Sequence, residues 1–160
     1  MRLLTLAVAL ALLSGCSDES KMTSACKGLI KTLAIEPDSV QFNEVKISKS
    51  ELSQRDLEAG YSRRFGDKTV DAANKRYFDI LYGEGKNIPT KYWVDIDYTA
   101  EAPAGKSRSS VLCTYINIKK HDLFLSSLST NKREYFGDGL ISLFMGKALP
   151  SQMDSLFSIK

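Results

Sequence analysis

The chain has 160 residues, with 22 Lys and Arg against 19 Asp and Glu. So mild a balance does not demand a nucleic-acid partner. The length suits one domain with a core of its own.

The first stretch is MRLLTLAVALALL. Arg2 is a minimal basic start, and Leu3 to Leu13 is uncharged with Thr5 as its only polar member. It is too short for a transmembrane helix, which needs about 20 apolar residues. Being apolar on every side, it has no face to turn to water as a surface helix. It reads as the apolar core of a secretory signal.

That core ends in Leu13-Ser14-Gly15-Cys16, and the chain turns polar at Ser17-Asp18-Glu19-Ser20. The segment resembles the lipobox of bacterial lipoproteins. The resemblance implies a diacylglyceryl group on the Cys16 thiol and cleavage just before it, with small Ser14 and Gly15 admitting the peptidase. It also implies transfer to the outer membrane, facing the periplasm, because Ser17 follows the lipidated cysteine and the acid, Asp18, comes one place later. Residues 1–15 are then a lipoprotein signal peptide, 16–22 a lipidated tether and 23–160 a single exported domain. The membrane is a partner through the lipid on Cys16, and more than one acyl chain makes such attachment stable. Export argues against nucleic acid as a partner.

Two further cysteines remain, Cys26 and Cys113. An envelope compartment permits disulfides, and an even count lets these two pair and leave no reactive thiol. Neither belongs to a C-x-x-C pair. Thr23 or Ser24 is expected to cap a first helix, in which Cys26, Leu29, Ile30 and Leu33 recur at helical spacing. The helix stops before Pro37, and Pro37-Asp38-Ser39 reads as a turn.

Val40 to Ile47 is expected to be a strand. Val40 and Phe42 alternate, Val45 and Ile47 alternate out of phase, and a bulge near Asn43-Glu44 reconciles them. Ser48 and Glu51 offer a capping box for a short helix through Leu52 and Leu57 that ends at Gly60. The stretch YSRRFGDKT has no clear period. Thr69 then caps a further helix, with Val70, Ala73, Tyr77, Ile80 and Leu81 on one face, ended by Gly83 and Gly85.

Tyr92 to Ala100 is the strongest strand, with Tyr92, Val94, Ile96 and Tyr98 on its buried face and Trp93, Asp95, Asp97 and Thr99 on the other. EAPAGKSR is a hairpin-like loop, and Ser109 to Ile118 a second long strand, antiparallel to the first. The expected disulfide selects Cys113, and with it Val111 and Tyr115, as inward-facing. Leu123 to Leu128 suits a third strand or a short helix, and Leu140 to Ala148 a short helix stopped by Pro150.

Helix, strand, inserted helical segment, two or three strands and a terminal element make an α+β fold, an antiparallel sheet packed against the N-terminal helix. The mature part is similar to small, mostly uncharacterised exported bacterial domains with a Cys, an amphipathic helix, a Pro-x-Ser turn, Phe, and a strand leading to a second Cys. Cys26, Pro37, Ser39, Phe42, Gly105 and Cys113 follow that outline. The Ala100–Gly105 loop lacks the asparagine of those domains, and about Ile47 to Thr90 is an insertion relative to them.

Catalytic chemistry finds little support. His121 is the only histidine and sits in the charged turn KKHD. Asp95 and Asp97 are the wet side of an amphipathic strand. Gly105-Lys106-Ser107 lacks the earlier glycine of a phosphate loop, and Gly137-Asp138-Gly139 lacks the remaining spacing of a calcium loop. Glu134 and Asp138 invite a paired-carboxylate reading, although carboxylates are too common for the pair to carry it. No catalytic, cofactor or metal residue is therefore assigned.

Arg55, Arg63, Arg64 and Lys68 lie near Tyr61 and Phe65 in sequence, and an exposed cluster of Arg and aromatics can anchor a partner. Arg63 and Arg64 are the candidate contacts. The expected function is a non-catalytic envelope lipoprotein that binds a protein or peptidoglycan. Lysozyme inhibition, toxin immunity, phage exclusion and envelope hydrolysis are the alternatives. A mildly basic chain would lack favourable long-range steering toward a basic lysozyme.

Overall fold

The computed structural model describes residues 17–65, 75–76, 88–119, 122–131, 133–145 and 158–159. The first helix, α1 (Asp18–Leu33), starts earlier than its apolar spacing suggests. Ser17 is its N-cap, with its side chain accepting from the Ser20 amide at 3.3 Å. Asp18 and Glu19 lie in the first turn, where the helix dipole favours acids. The stretch expected to be a tether is thus mostly helix, and Met22 within it is fully buried. A 3-10 turn (Pro37–Ser39) follows. The Ser39 hydroxyl accepts from the Glu101 amide at 2.9 Å, holding the turn against the sheet.

The sheet is antiparallel throughout. Its strands are β1 (Gln41–Glu51), β2 (Thr90–Ala102), β3 (Gly105–Lys119) and β4 (Asp122–Thr130), in that spatial order. Two short strands, β5 (Glu134–Phe136) and β6 (Ser158–Ile159), pair with different parts of β4. α2 (Gln54–Phe65) is inserted between β1 and β2, and α3 (Gly137–Met145) follows β5. Gly137 turns the chain from β5 into α3 with φ of 50°, a conformation that disfavours side chains.

Two bulges set which side chains meet the core. On β1 the register shifts between Phe42 and Glu44. Asn43 is the extra residue, and Phe42, Val45 and Ile47 all align with the inward residues of β2. On β4 the shift lies between the partners of Thr114 and Tyr115, leaving Ser126 extra. Strict alternation would send either Leu123 and Leu125 or Leu128 into water. The bulge turns all three inward, where they are almost fully buried.

One face of the sheet carries both α1 and α3. Met22, Cys26, Leu29 and Ile30 of α1 and Leu140 and Phe144 of α3 share one core with Val94, Ile96, Val111, Cys113 and Tyr115. Cys26 and Cys113 are bridged, with Cα atoms 6.1 Å apart. The Tyr115 hydroxyl donates to the Met22 carbonyl at 3.3 Å. The arrangement is α+β, as the order of elements implies.

Several boundaries differ from the sequence reading. Ser48 to Glu51 continues β1, paired as far as Glu51 with Thr90, so Ser48 caps nothing. The cap of α2 is Ser53, whose hydroxyl accepts from the Asp56 amide at 3.2 Å and donates to the Asp56 carboxylate at 2.6 Å. These bonds, the hydroxyl's foremost, hold the Asp56 carboxyl below its ordinary value. α2 runs past Gly60, where the sequence reading ends it, to Phe65, so YSRRF is helical. Leu123 to Leu128 is strand. The hairpin joining β2 and β3 turns within two residues, Pro103 and Ala104, with Ala102 opposite Gly105. Of the helix expected over residues 70–81, Lys75 and Arg76 are helical, and the remainder lies outside the described residues.

Candidate functional site

The helices cover one face of the sheet and the register defines the other. Along β2 the outward side chains are Lys91, Trp93, Asp95, Asp97 and Thr99, and opposite them on β3 stand Ile116, Thr114, Leu112, Ser110 and Arg108. Phe124, Ser127 and Ser129 of β4 continue these rows, as do Phe136 and Glu134 of β5. The rows change character along the strands.

At the end where β2 begins, the rows set aromatic and aliphatic side chains among small polar ones, with Ser48 and Ser50 of β1 opposite Trp93 and Lys91. Ile116 lies opposite Phe124, which is 41 % exposed, and the next row runs Trp93, Thr114, Ser127, Phe136, the last 44 % exposed. Thr114, at the centre, is only 4 % exposed although it faces outward. The Lys91 ammonium lies 5.0 Å from the Trp93 ring centroid, a cation–π distance. Ile88, just before β2, is 40 % exposed at the same end.

At the hairpin end, the rows are polar and mutually bonded. The Arg108 Nε–H lies 3.0 and 2.9 Å from the two Asp97 carboxylate oxygens. Asn43, placed by the β1 bulge, donates to the same carboxylate at 2.6 Å and reaches Thr99 at 3.1 Å. Ser110 donates to Asn131 at 2.8 Å. The Asn43 amide first, and Arg108 beside it, hold the Asp97 carboxyl below its ordinary value. The guanidinium is thereby oriented while 70 % of the Arg108 side chain stays accessible. Such a group suits recognition of a carboxylate, phosphate or carbonyl.

A groove of about 260 Å³ lies on the helical side, between Ile30 and Leu33 of α1 and Leu143 of α3, with Tyr98, Thr130 and Tyr135 on its floor and wall. Its lining mixes polar and apolar surface and belongs to the rim of the core.

The sequence candidates fall in different places. Cys26 and Cys113 come together as the disulfide. Arg63 and Arg64 occupy the last turn of α2; their side chains, like Cys16 and His121, lie outside the described residues. Asp95 is exposed on the outer face. Glu134 is on β5 and Asp138 in the first turn of α3, both exposed. Lys106 and Ser107 pair with Glu101 and Ala100 in the ladder, so that stretch is strand rather than phosphate cradle. Gly137-Asp138-Gly139 is the junction into α3. Among the described residues no group of three or more His, Cys, Asp or Glu is placed to hold a metal ion, and no helix is long and apolar enough to cross a membrane.

Sequence reasoning passed over Arg108 and Asn43. The signal was there in part: a two-residue hairpin at Pro103-Ala104 sets Asp97 diagonal to Arg108. The chain matches no family model, no curated protein and no solved structure.

Proposed function

We propose that the chain is a bacterial envelope lipoprotein, anchored through lipid on Cys16, whose folded domain is a binding module rather than an enzyme. The observation that carries the binding role is the Asn43–Asp97–Arg108 cluster. It holds an accessible guanidinium in place on the outer sheet face, at the end of the domain far from Ser17. A partner in the envelope, either a protein or peptidoglycan, meets that end first. Both offer the carboxylates and carbonyls that an oriented arginine recognises. The lipobox-like LSGC segment supports the anchor. A cystine joining helix to sheet suits a compartment outside the cytoplasm.

The experiment has two arms. Cys16→Ser should leave an unprocessed, unlipidated precursor, and mass spectrometry of the membrane form should find acyl chains on Cys16. A photo-crosslinking residue at position 106, exposed beside Arg108 on the same strand face, should give a discrete adduct in intact cells, weakened by Arg108→Ala or Asn43→Ala. The purified domain should not turn over peptidoglycan, glycans or esters. Turnover abolished by replacing Asp95, Asp97, His121, Glu134 or Asp138 in a folded variant would overturn the binding-module reading.

A further inference from the structure

We infer that β1 is a dimerisation edge: two copies of this chain pair antiparallel along it, about a twofold axis at Val45, and join their sheets into one. The inference concerns the folded domain and does not rest on the lipid anchor.

The two edges of the sheet differ. At one, β4 is partly covered by β5, three residues long, and by β6, two residues long. At the other, β1 runs for eleven residues with β2 as its strand neighbour and none beyond it among the described residues. Nor does any turn or loop among those residues bond to the backbone of Gln41 to Glu51 from the far side. Phe42 and Val45 are only half-buried, Ile47 is 37 % exposed, and the rest of β1 is exposed. A long edge with unpaired amides and carbonyls is a template for another strand.

Lysines and bulges guard many edges against such pairing, and β1 has both. Its charges, however, complement a second copy of itself. Side chains directly opposite in an antiparallel pair lie on one face of the sheet and interact. With the axis at Val45, that residue meets Val45 of the second copy. Glu44 then stands opposite Lys46 of the second copy, and Lys46 opposite its Glu44. Asn43 is the extra residue of the bulge, so Phe42 is the next inward side chain and falls opposite Ile47. The outer face gains two pairs of opposite charge, and the inner face closes a strip of Phe42, Val45 and Ile47 from both copies. An axis at Lys46 would set lysine on lysine. An axis at Ile47 would set Lys46 on Ser48 and Glu44 on Ser50, with no charge pair. Within one chain Glu44 and Lys46 meet at 3.1 Å with both side chains more than half exposed, so pairing disturbs no buried contact. The contact is isologous, each half made twice. It leaves the helices of both copies on one side of the joined sheet and two Asn43–Asp97–Arg108 clusters on the other.

The full-length protein is followed by sedimentation equilibrium in a density-matched non-ionic detergent over a dilution series. It should pass from dimer to monomer. Glu44→Lys alone and Lys46→Glu alone each set like charges opposite one another twice, and each should move the midpoint to about tenfold higher concentration. The double variant Glu44→Lys, Lys46→Glu restores both pairs and should bring the midpoint back. Under mild oxidation Val45→Cys should link two copies across the axis. Ser50→Cys should not, because the two copies of position 50 would lie about 30 Å apart along the strands. Circular dichroism checks the fold of each variant. A native protein that stays monomeric at every concentration overturns the inference, and an edge reserved for a strand of another protein gives that result. A dimer indifferent to both charge reversals, or one linked through position 50 rather than 45, overturns it as well.

Discussion

Tyr115 and Met22 are joined by a hydrogen bond, hydroxyl to backbone carbonyl at 3.3 Å, one helical turn and two strand residues from the bond between Cys26 and Cys113. The same face of α1 is thus tied to the same face of β3 twice, once through oxygen and once through sulfur. Replacing Tyr115 by Phe keeps the ring in the core and removes only the hydroxyl. The expected loss is about 1 kcal/mol, read as a lower denaturant midpoint with an unchanged slope.

The same tyrosine gives an alkaline signature. Burial raises its pKa above the ordinary 10.0, so the folded state retains a proton that the unfolded chain gives up first. Its contribution is full below pH 10 and declines as pH rises beyond that value toward the folded pKa. Unfolding experiments above pH 10 should show stability falling in the native protein, with a shallower fall in Tyr115→Phe.

The cystine spans 87 residues. The loop-closure model assigns such a crosslink about 4–5 kcal/mol through the unfolded chain. The double variant Cys26→Ala, Cys113→Ala should lose stability on that scale in chemical denaturation. The lipidation proposed for Cys16 should be unaffected.

Asp97 should titrate below the ordinary carboxylate range, because Asn43 donates to it and Arg108 lies beside it. Its depressed folded pKa gives a contribution present above the unfolded value of 3.8 and lost as pH falls through the folded pKa. In Asn43→Ala, carboxylate-detected NMR should find the Asp97 midpoint moved upward. An unmoved midpoint would leave Arg108 as the sole cause.

Deleting Ser126 should be far worse than substituting it. Ser126→Ala keeps the bulge and should fold. The deletion restores strict alternation on β4 and forces either Leu123 and Leu125 or Leu128 outward, so the expected outcome is loss of the cooperative unfolding transition.

What was legible in the residues follows from the range of the physics. The β2 faces and the Asn43 bulge are local patterns of period two and read correctly, whereas the period of β3 leaves two faces open and the expected disulfide chose between them. The start of α1 was misplaced because Asp18, Glu19 and Ser20 look like tether, yet a serine cap followed by acids is itself a helix start. Ser48-x-x-Glu51 lost to Ser53-x-x-Asp56 because pairing with β2 carries β1 on to Glu51, a long-range effect that no local signal contains. Arg108 escaped notice for the same reason. Asn43, which shares the Asp97 carboxylate with it, arrives from another strand, and only the register of three strands brings them together.

The bridge from α1 to the middle of β3 has a mechanical consequence. Tension applied at Ser17 and drawn off at β4 travels along α1 to Cys26, crosses the sulfur–sulfur bond and leaves through β3. The chain between the two cysteines, whose extended length is about 300 Å, carries none of that load. Tension between those two points would bypass the loop closed by the cystine, and with it the hairpin and the Asn43–Asp97–Arg108 cluster.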